Sequence, residues 1–422
     1  MRGWDALREG LATRELRLYA LACAAMSLAL WAFTVVLAIA AYEAGGTGAV
    51  TLAVVARVLP GALAGPFIAQ LVQRGSPREL GLGLGGAMTA ALAALTLVSA
   101  VGAPFALVLL LATACSILAS GQEPALAALL PSVADSPREL AIAHRLRPGM
   151  SGAAQCAGAL AGGAAAAGAS PAAGFALALV ASAAAPLALA LIAADPHRTH
   201  RPARPAGGSV AAELQLGLRA VRTASELREA VGLLAAIGLV RGVLDVLVVI
   251  VAVKLVGLGT GGVGVLACAW GVGALAGGLG APALLAQGRF AAASDACSAL
   301  LAVPLAIVAA AADPVVAVLG FAVLGLGHAM AQSAGRTLVR RLAAGESRTR
   351  AFTVAELGSR LAVVAGAILA PPLIALLGVR GALLATALVL PVVVIARWRA
   401  VQRLDARAGT ADGAREGWSV SF

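Results

Sequence analysis

Apolar residues in this chain run for about 20 positions at a time, pause at a short polar break and resume, over almost the whole length. A helix of about 20 residues crosses ~30 Å of hydrocarbon. Lipid offers no hydrogen bonds to bare backbone, so runs of this kind are predicted to be helices. About twelve are visible. The first set is Leu18 to Ala41, Val50 to Leu71, Leu80 to Val101, Phe105 to Leu129, Met150 to Ala169 and Ala172 to Ile192. After a polar interval come Val231 to Val253, Val263 to Leu285, Ala291 to Ala311, Val315 to Leu338, Ala351 to Leu376 and Val379 to Ala396. The prediction is an all-α polytopic membrane protein of twelve transmembrane helices. The leading segment carries acids as well as arginines, and its apolar run is long and soon followed by another, so it reads as a retained first span, not a cleaved signal.

Composition agrees with the pattern. Of 422 residues, 61% are hydrophobic and 12% charged, a balance that no soluble core of this length needs. The net charge of +11 does not form a basic patch for nucleic acid. The basic residues sort by membrane side: Arg2, Arg8, Arg14 and Arg17 lead, and further arginines fall in every second break and in the tail. The alternate breaks hold only Lys254 and Arg380. This positive-inside bias predicts that both termini are cytoplasmic, and that the arginines meet lipid headgroups, not nucleic acid. Cys23, Cys115, Cys156, Cys268 and Cys297 lie in separate apolar runs without ligand spacing, so they read as small buried hydrophobes.

The interval 194–230 divides the chain. "DPHRTHRPARPAGGS" has linker composition, and the stretch after it spaces Leu214, Leu218, Val221 and Leu227 for a helix lying on the cytoplasmic surface. The predicted organisation is a six-helix bundle over 1–193, this linker, a second six-helix bundle over 231–397 and a cytoplasmic tail over 398–422. "GALAG" occurs in span two at Gly61 to Gly65 and in span eight at Gly273 to Gly277, each before a short basic loop. Two related halves joined by a long connection are the plan of transporters that rock two bundles about a central site.

Four stretches carry a resemblance to a known family: "AYEAGG" ending span one, "ARVLPGALAGPF" in span two, "PALAALLPSVADSPRELAIAH" after span four, and "GRTLVRRL" with "SRTRAFTVAELGSR" before span eleven. The chain resembles the major facilitator superfamily (MFS), in particular the exporter branch of macrolide-efflux and siderophore-exporter-like proteins. The resemblance implies alternating access and a gate at the cytoplasmic loop after span two. The family's G-x-L-A-D-R is here "AQLVQR", with Ala69 for the glycine and Gln73 for the gate acid, while Arg74 remains and Arg78 follows. In span five "GALAGG" has Ala159 where the family has proline.

A charge at a helix centre costs about 2.5–3.5 kcal/mol to insert, so ionisable residues inside spans are functional candidates. Arg241 and Asp245 sit mid-span seven at i, i+4, where they pair with each other or face a watered cavity. Arg57 in span two either snorkels to the outer interface or faces inward, and Pro60 and Pro66 bend the same span. Gln122 and Glu123 lie toward the inner end of span four, facing headgroups or cavity. His328 and Gln332 share a face of span ten, as packing residues or as part of a substrate and proton pathway. Glu356 and Arg360, again i, i+4, begin span eleven as a gate pair or an interfacial one. No nucleotide-binding loop, paired metal ligands or nucleophile elbow is present in the sequence. These features predict a secondary transporter, not an enzyme, that works as a monomer in the cell membrane without a cofactor. It would export small hydrophobic or amphipathic molecules against a proton gradient. A non-transporting receptor or scaffold that keeps the fold is the alternative.

Overall fold

The computed structural model describes residues 13–134, 136–192, 209–285, 293, 296–298, 300–343 and 347–416. Among them the regular elements are helices. They are α1 (Arg14–Arg74), α2 (Pro77–Ala100), α3 (Phe105–Val133), α4 (Pro137–Gly168), α5 (Pro171–Leu191), α6 (Val210–Thr223) and α7 (Ser225–Ile250). After α7 and its π-helical turn Val251–Leu255 come α8 (Gly261–Leu285), α9 (Ala302–Ala311), α10 (Pro314–Leu342) and α11 (Ser347–Glu416).

Local chemistry fixes where these helices start. Ser76 and Ser136 open two identical stretches, Ser-Pro-Arg-Glu-Leu, and each side chain accepts from the backbone N–H of its glutamate, Glu79 at 3.5 Å and Glu139 at 3.2 Å. Proline at the first helical position has no N–H to leave orphaned, and the glutamate favours the positive end of the helix dipole. Thr13, Ser170, Ser209 and Asp313 cap α1, α5, α6 and α10 in the same way. The second of the identical stretches starts α4 well before Met150, so the basic segment expected to be loop is helix.

Two long helices are each two spans. α1 turns at Gly46 (φ +60°) and α11 at Gly378 (φ +69°), left-handed conformations that cost glycine least. Among the described residues eight helices are long and apolar enough to cross a membrane, and α1 and α11 each break at a glycine into two limbs. With α4 and the short apolar segment Ala296–Ala311, each of the twelve predicted spans coincides with helix among the described residues. The first part of the linker, 194–208, lies outside the described residues, while its second part is the amphipathic helix α6 and the start of α7.

The chain forms two compact units, Met1–Gly207 with Ala252–Gly271, and Gly208–Val251 with Val272–Phe422. In the first, α1 packs along α3, α4 and α5, and α2 packs on α3 and α5. Leu16, Tyr19, Cys23, Leu126, Leu130 and Leu189 form a core near the start of α1. In the second, α7 and α11 make the most extensive pairing. They meet backbone to backbone: a Cβ at Gly242 would fall 1.9 Å from the Val363 carbonyl oxygen, and one at Gly366 would fall 2.0 Å from that of Leu239. Without a hydrophobic drive between helices in lipid, such close small-residue packing is what holds them. The repeated "GALAG" does similar work in each unit, with Gly61 against Ser116 of α3 and Gly273 against Ala322 of α10.

Large apolar side chains remain outside, among them Leu97 (67% exposed), Leu187 (66%) and Ile395 (74%). In water this would be an aggregation surface; against lipid it is the solvated one. Only 28% of the most apolar window of α2 is buried, against 67% for α7, so α2 is peripheral and α7 is central to its unit.

Candidate functional site

The second unit gathers the polar side chains into a column. Near the middle of α7, Arg241 Nε donates to Asp245 Oδ1 at 2.7 Å, one helical turn apart. Of the two expected arrangements, the direct pair is the one observed. The Asp245 and Arg241 side chains are 12% and 21% exposed. His328 of α10 is half-buried and lies within electrostatic reach of Arg241, Asp245 and Arg336. Gln332 follows one turn further along α10.

One more turn on, Arg336 grips Glu356 of α11 with both arms, Nε to Oε1 at 2.6 Å and Nη2 to Oε2 at 3.1 Å. This corrects the expected Glu356–Arg360 pairing. Both carboxylate oxygens of Glu356 go to a different helix, since a forked guanidinium matches a carboxylate better than a single turn of helix lets Arg360 do. Arg360 itself is exposed. The Arg340 guanidinium then lies 4.5 Å from the ring centre of Phe352, a cation–π contact. Beyond it, both arms of Arg350 hold Glu213 of α6, one at 3.2 Å, so the surface helix is clamped to the start of α11.

Sequence reasoning found His328 and Gln332 by their four-residue spacing but not Arg336 or Arg340. The same spacing, continued twice, reaches both. Those arginines had been read as topology signals because they adjoin a basic break.

The candidates in the first unit do not converge in this way. Gln122 is buried and its Nε2 donates to the Leu84 carbonyl at 3.4 Å, joining α3 to α2. Glu123, 76% exposed, has Arg147 of α4 at 3.7 Å. Tyr19 is close by, its hydroxyl donating to the Leu126 carbonyl at 3.1 Å. The Arg57 carbonyl accepts from Ser116, which seats the proline-containing limb of α1 on α3. Arg78 Nη2 donates to the Ala190 carbonyl at 3.0 Å, at the end of α5. The side chains of Gln73 and Arg74, expected at the gate, lie outside the described residues.

All five cysteines are free thiols, and the Cys156 thiol donates to the Cys268 carbonyl at 3.7 Å. No group of three or more His, Cys, Asp or Glu side chains suited to a metal occurs among the described residues.

Long apolar helices, two of them folded back at glycine turns, with a part-buried charged pair mid-span, define the class among the described residues. This is the all-helical, multi-pass fold of MFS transporters. The chain is similar to a point mutant of the nucleoside transporter NupG, with a TM-score of 0.74 at 12% identity over 93% of this chain and 100% of that one. It is also similar to an inward-facing, unoccupied bacterial homologue of the human lysosomal transporter Spinster, with a TM-score of 0.67 at 13% identity over 94% and 98%. A third likeness is to the human organic anion transporter MFSD10 (TETRAN), with a TM-score of 0.64 at 16% identity over 90% and 98%. No protein-family model matches the sequence, and no curated relative does.

Proposed function

We propose that this protein is a secondary transporter that exports small hydrophobic or amphipathic molecules by alternating access, coupled to protons. The observation that carries the reading is the Arg241–Asp245 pair, 2.7 Å apart inside the most buried helix of its unit. Two charges there cost about 5–7 kcal/mol to insert, roughly what the remaining Leu, Ile and Val of the span return. A helix that retains such a pair at the margin of insertion retains it for work.

The work is exchange. While Asp245 is ionised, it holds the Arg241 guanidinium. A proton taken up on the Asp245 carboxylate removes that partner and leaves Arg241 with donors to give elsewhere. The similarity to solved transporters supports transport as the use of this switch. The efflux direction rests on the stretches that resemble the macrolide-efflux branch. The two six-helix halves, the monomeric state and the cell membrane as location belong to the same proposal, as do the cytoplasmic ends, which the arginine bias along the sequence supports.

The test is uptake of fluorescent amphiphiles into inside-out proteoliposomes with an imposed pH gradient. The wild type is expected to show gradient-dependent flux, and Asp245→Asn to bind substrate without it. Flux indifferent to the gradient, or an Asp245→Asn variant that couples normally, overturns the coupling. Absence of any flux across a broad panel favours a scaffold.

A further inference from the structure

We infer that the second unit recognises an organic anion: the transported amphiphile carries a carboxylate or an equivalent acidic group, and the α10 column is its route. This names the substrate class for the site described above and rests on the transport reading.

Four observations point the same way. First, His328, Gln332, Arg336 and Arg340 recur every fourth residue, so they line one face of α10, with ~6 Å between steps. Second, that helix, Pro314–Leu342, contains no acidic residue at all. Third, the arginines outnumber the carboxylates that answer them. Arg241 faces Asp245 and Arg336 faces Glu356, whereas Arg340 rests on the Phe352 ring. Three cations against two anions leave one positive charge for a ligand to match. Fourth, exposure rises along the column, from 12% at Asp245 and 21% at Arg241 to 47% at Arg336, so it is open at the Arg340 end and closed at the Asp245 end.

The internal partners show what the ligand looks like. Glu356 meets Arg336 with both oxygens, the geometry that a planar acid of a substrate would reproduce. A cation–π partner gives up its guanidinium at small cost, so Arg340 is a first contact for an anion arriving from the open end. From there the acidic group exchanges with Glu356 on Arg336. It passes Gln332 and His328, both able to donate hydrogen bonds, and replaces Asp245 on Arg241 when Asp245 is protonated. No bond is made or broken except that the proton sits on the Asp245 carboxylate while the substrate anion holds the guanidinium. A cationic amphiphile would meet the net positive charge of this path.

The experiment uses three probes with one ring and different heads: naphthylacetate, naphthylethanol and naphthylmethylammonium. Binding to the full chain in nanodiscs is measured by equilibrium dialysis against empty nanodiscs, and radiolabelled uptake is measured in proteoliposomes. Naphthylacetate is expected to bind about tenfold or more tighter than the other two, the scale of one charge-assisted contact. Arg336→Gln should lose that preference. Glu356→Gln, which frees the Arg336 fork, should tighten naphthylacetate binding, whereas a purely structural role for the pair predicts that both variants weaken it together. Equal binding of the three probes, preference for the ammonium or the alcohol, or no binding of naphthylacetate overturns the inference. Gradient-driven uptake of the ammonium or the alcohol in preference to the acid would sink the anion class and leave transport standing. Selective binding of naphthylacetate without gradient-driven uptake would sink transport and leave the anion site.

Discussion

The Arg241–Asp245 pair allows coupling to be separated from folding by one double-mutant cycle. Replacing either residue alone with leucine leaves a charge in a site where the side chains are only 21% and 12% exposed and the partner had been 2.7 Å away. Stranding a buried charge costs about 3–5 kcal/mol, and the low end applies because some exposure remains at both positions. Replacing both removes about 5–7 kcal/mol of insertion cost and adds two leucines that each favour the membrane by about 0.3–0.6 kcal/mol. The double variant should therefore be at least as stable as the wild type, while each single variant loses about 3 kcal/mol. Thermal melting of purified protein by intrinsic fluorescence reads the stability arm, and proton-driven uptake into proteoliposomes reads the function arm. The expected pattern is rescued melting with absent gradient-driven uptake. Near wild-type uptake by the double variant would refute the reasoning and move the coupling role to Glu123, Glu356 or His328.

Four further outcomes are expected. Gly242→Ala should destabilise by about 1–3 kcal/mol, since its Cβ meets main chain at 1.9 Å, whereas Gly232→Ala on the same helix meets nothing within 4 Å and should gain about 0.5–1 kcal/mol; equal melting shifts would contradict the packing of α7 on α11. Ser136→Ala removes the cap on α4 and should cost about 1 kcal/mol, checked by melting against Ser151→Ala, a mid-helix serine that starts no helix. Arg350→Ala should release α6 from the start of α11, read as faster proteolysis between the two units, with Glu213→Ala giving the same rate and the double variant no more. A single cysteine at Gly75 should react with impermeant maleimide only in inverted vesicles; labelling from outside intact cells reverses the orientation drawn from the arginines.

The spans were legible because lipid imposes a length, and a run of about 20 apolar residues has few other uses. Their boundaries were less so. The start of α4 was read as loop because Arg138, Arg145 and Arg147 dominate it, although Ser136 with Glu139 is a cap signature visible in the sequence. The Arg241–Asp245 contact could be anticipated, since i, i+4 geometry is local. The Arg336–Glu356 contact could not, because its partners lie on different helices and only the tertiary arrangement of α10 and α11 brings them together. Gln122 shows the opposite limit. A polar residue inside a span invites a functional reading, yet in the structure it answers the backbone carbonyl of a neighbouring helix.

The seating of α7 on α11, main chain against main chain at Gly242 and Gly366, also constrains the order of events in the proposed transport cycle. Helices separated by side chains can creep past each other as rotamers change, but these two have no compliant layer between them. Asp245 and Arg241 on one, and Glu356 on the other, are thus mounted on a single rigid chassis. Re-pairing within the column must come from guanidinium swings and shifts of α10, not from α7 sliding along α11. Exposed side chains flip in about picoseconds to nanoseconds, and even with the delay of breaking a part-buried ion pair such swings are short beside the roughly microseconds to milliseconds of whole-bundle motion. Charge pairing therefore settles many times over between one rocking event and the next. In the proposed cycle, a rocking bundle would carry an equilibrium distribution of paired and released states, set by proton and substrate, and no memory of the order in which they arrived.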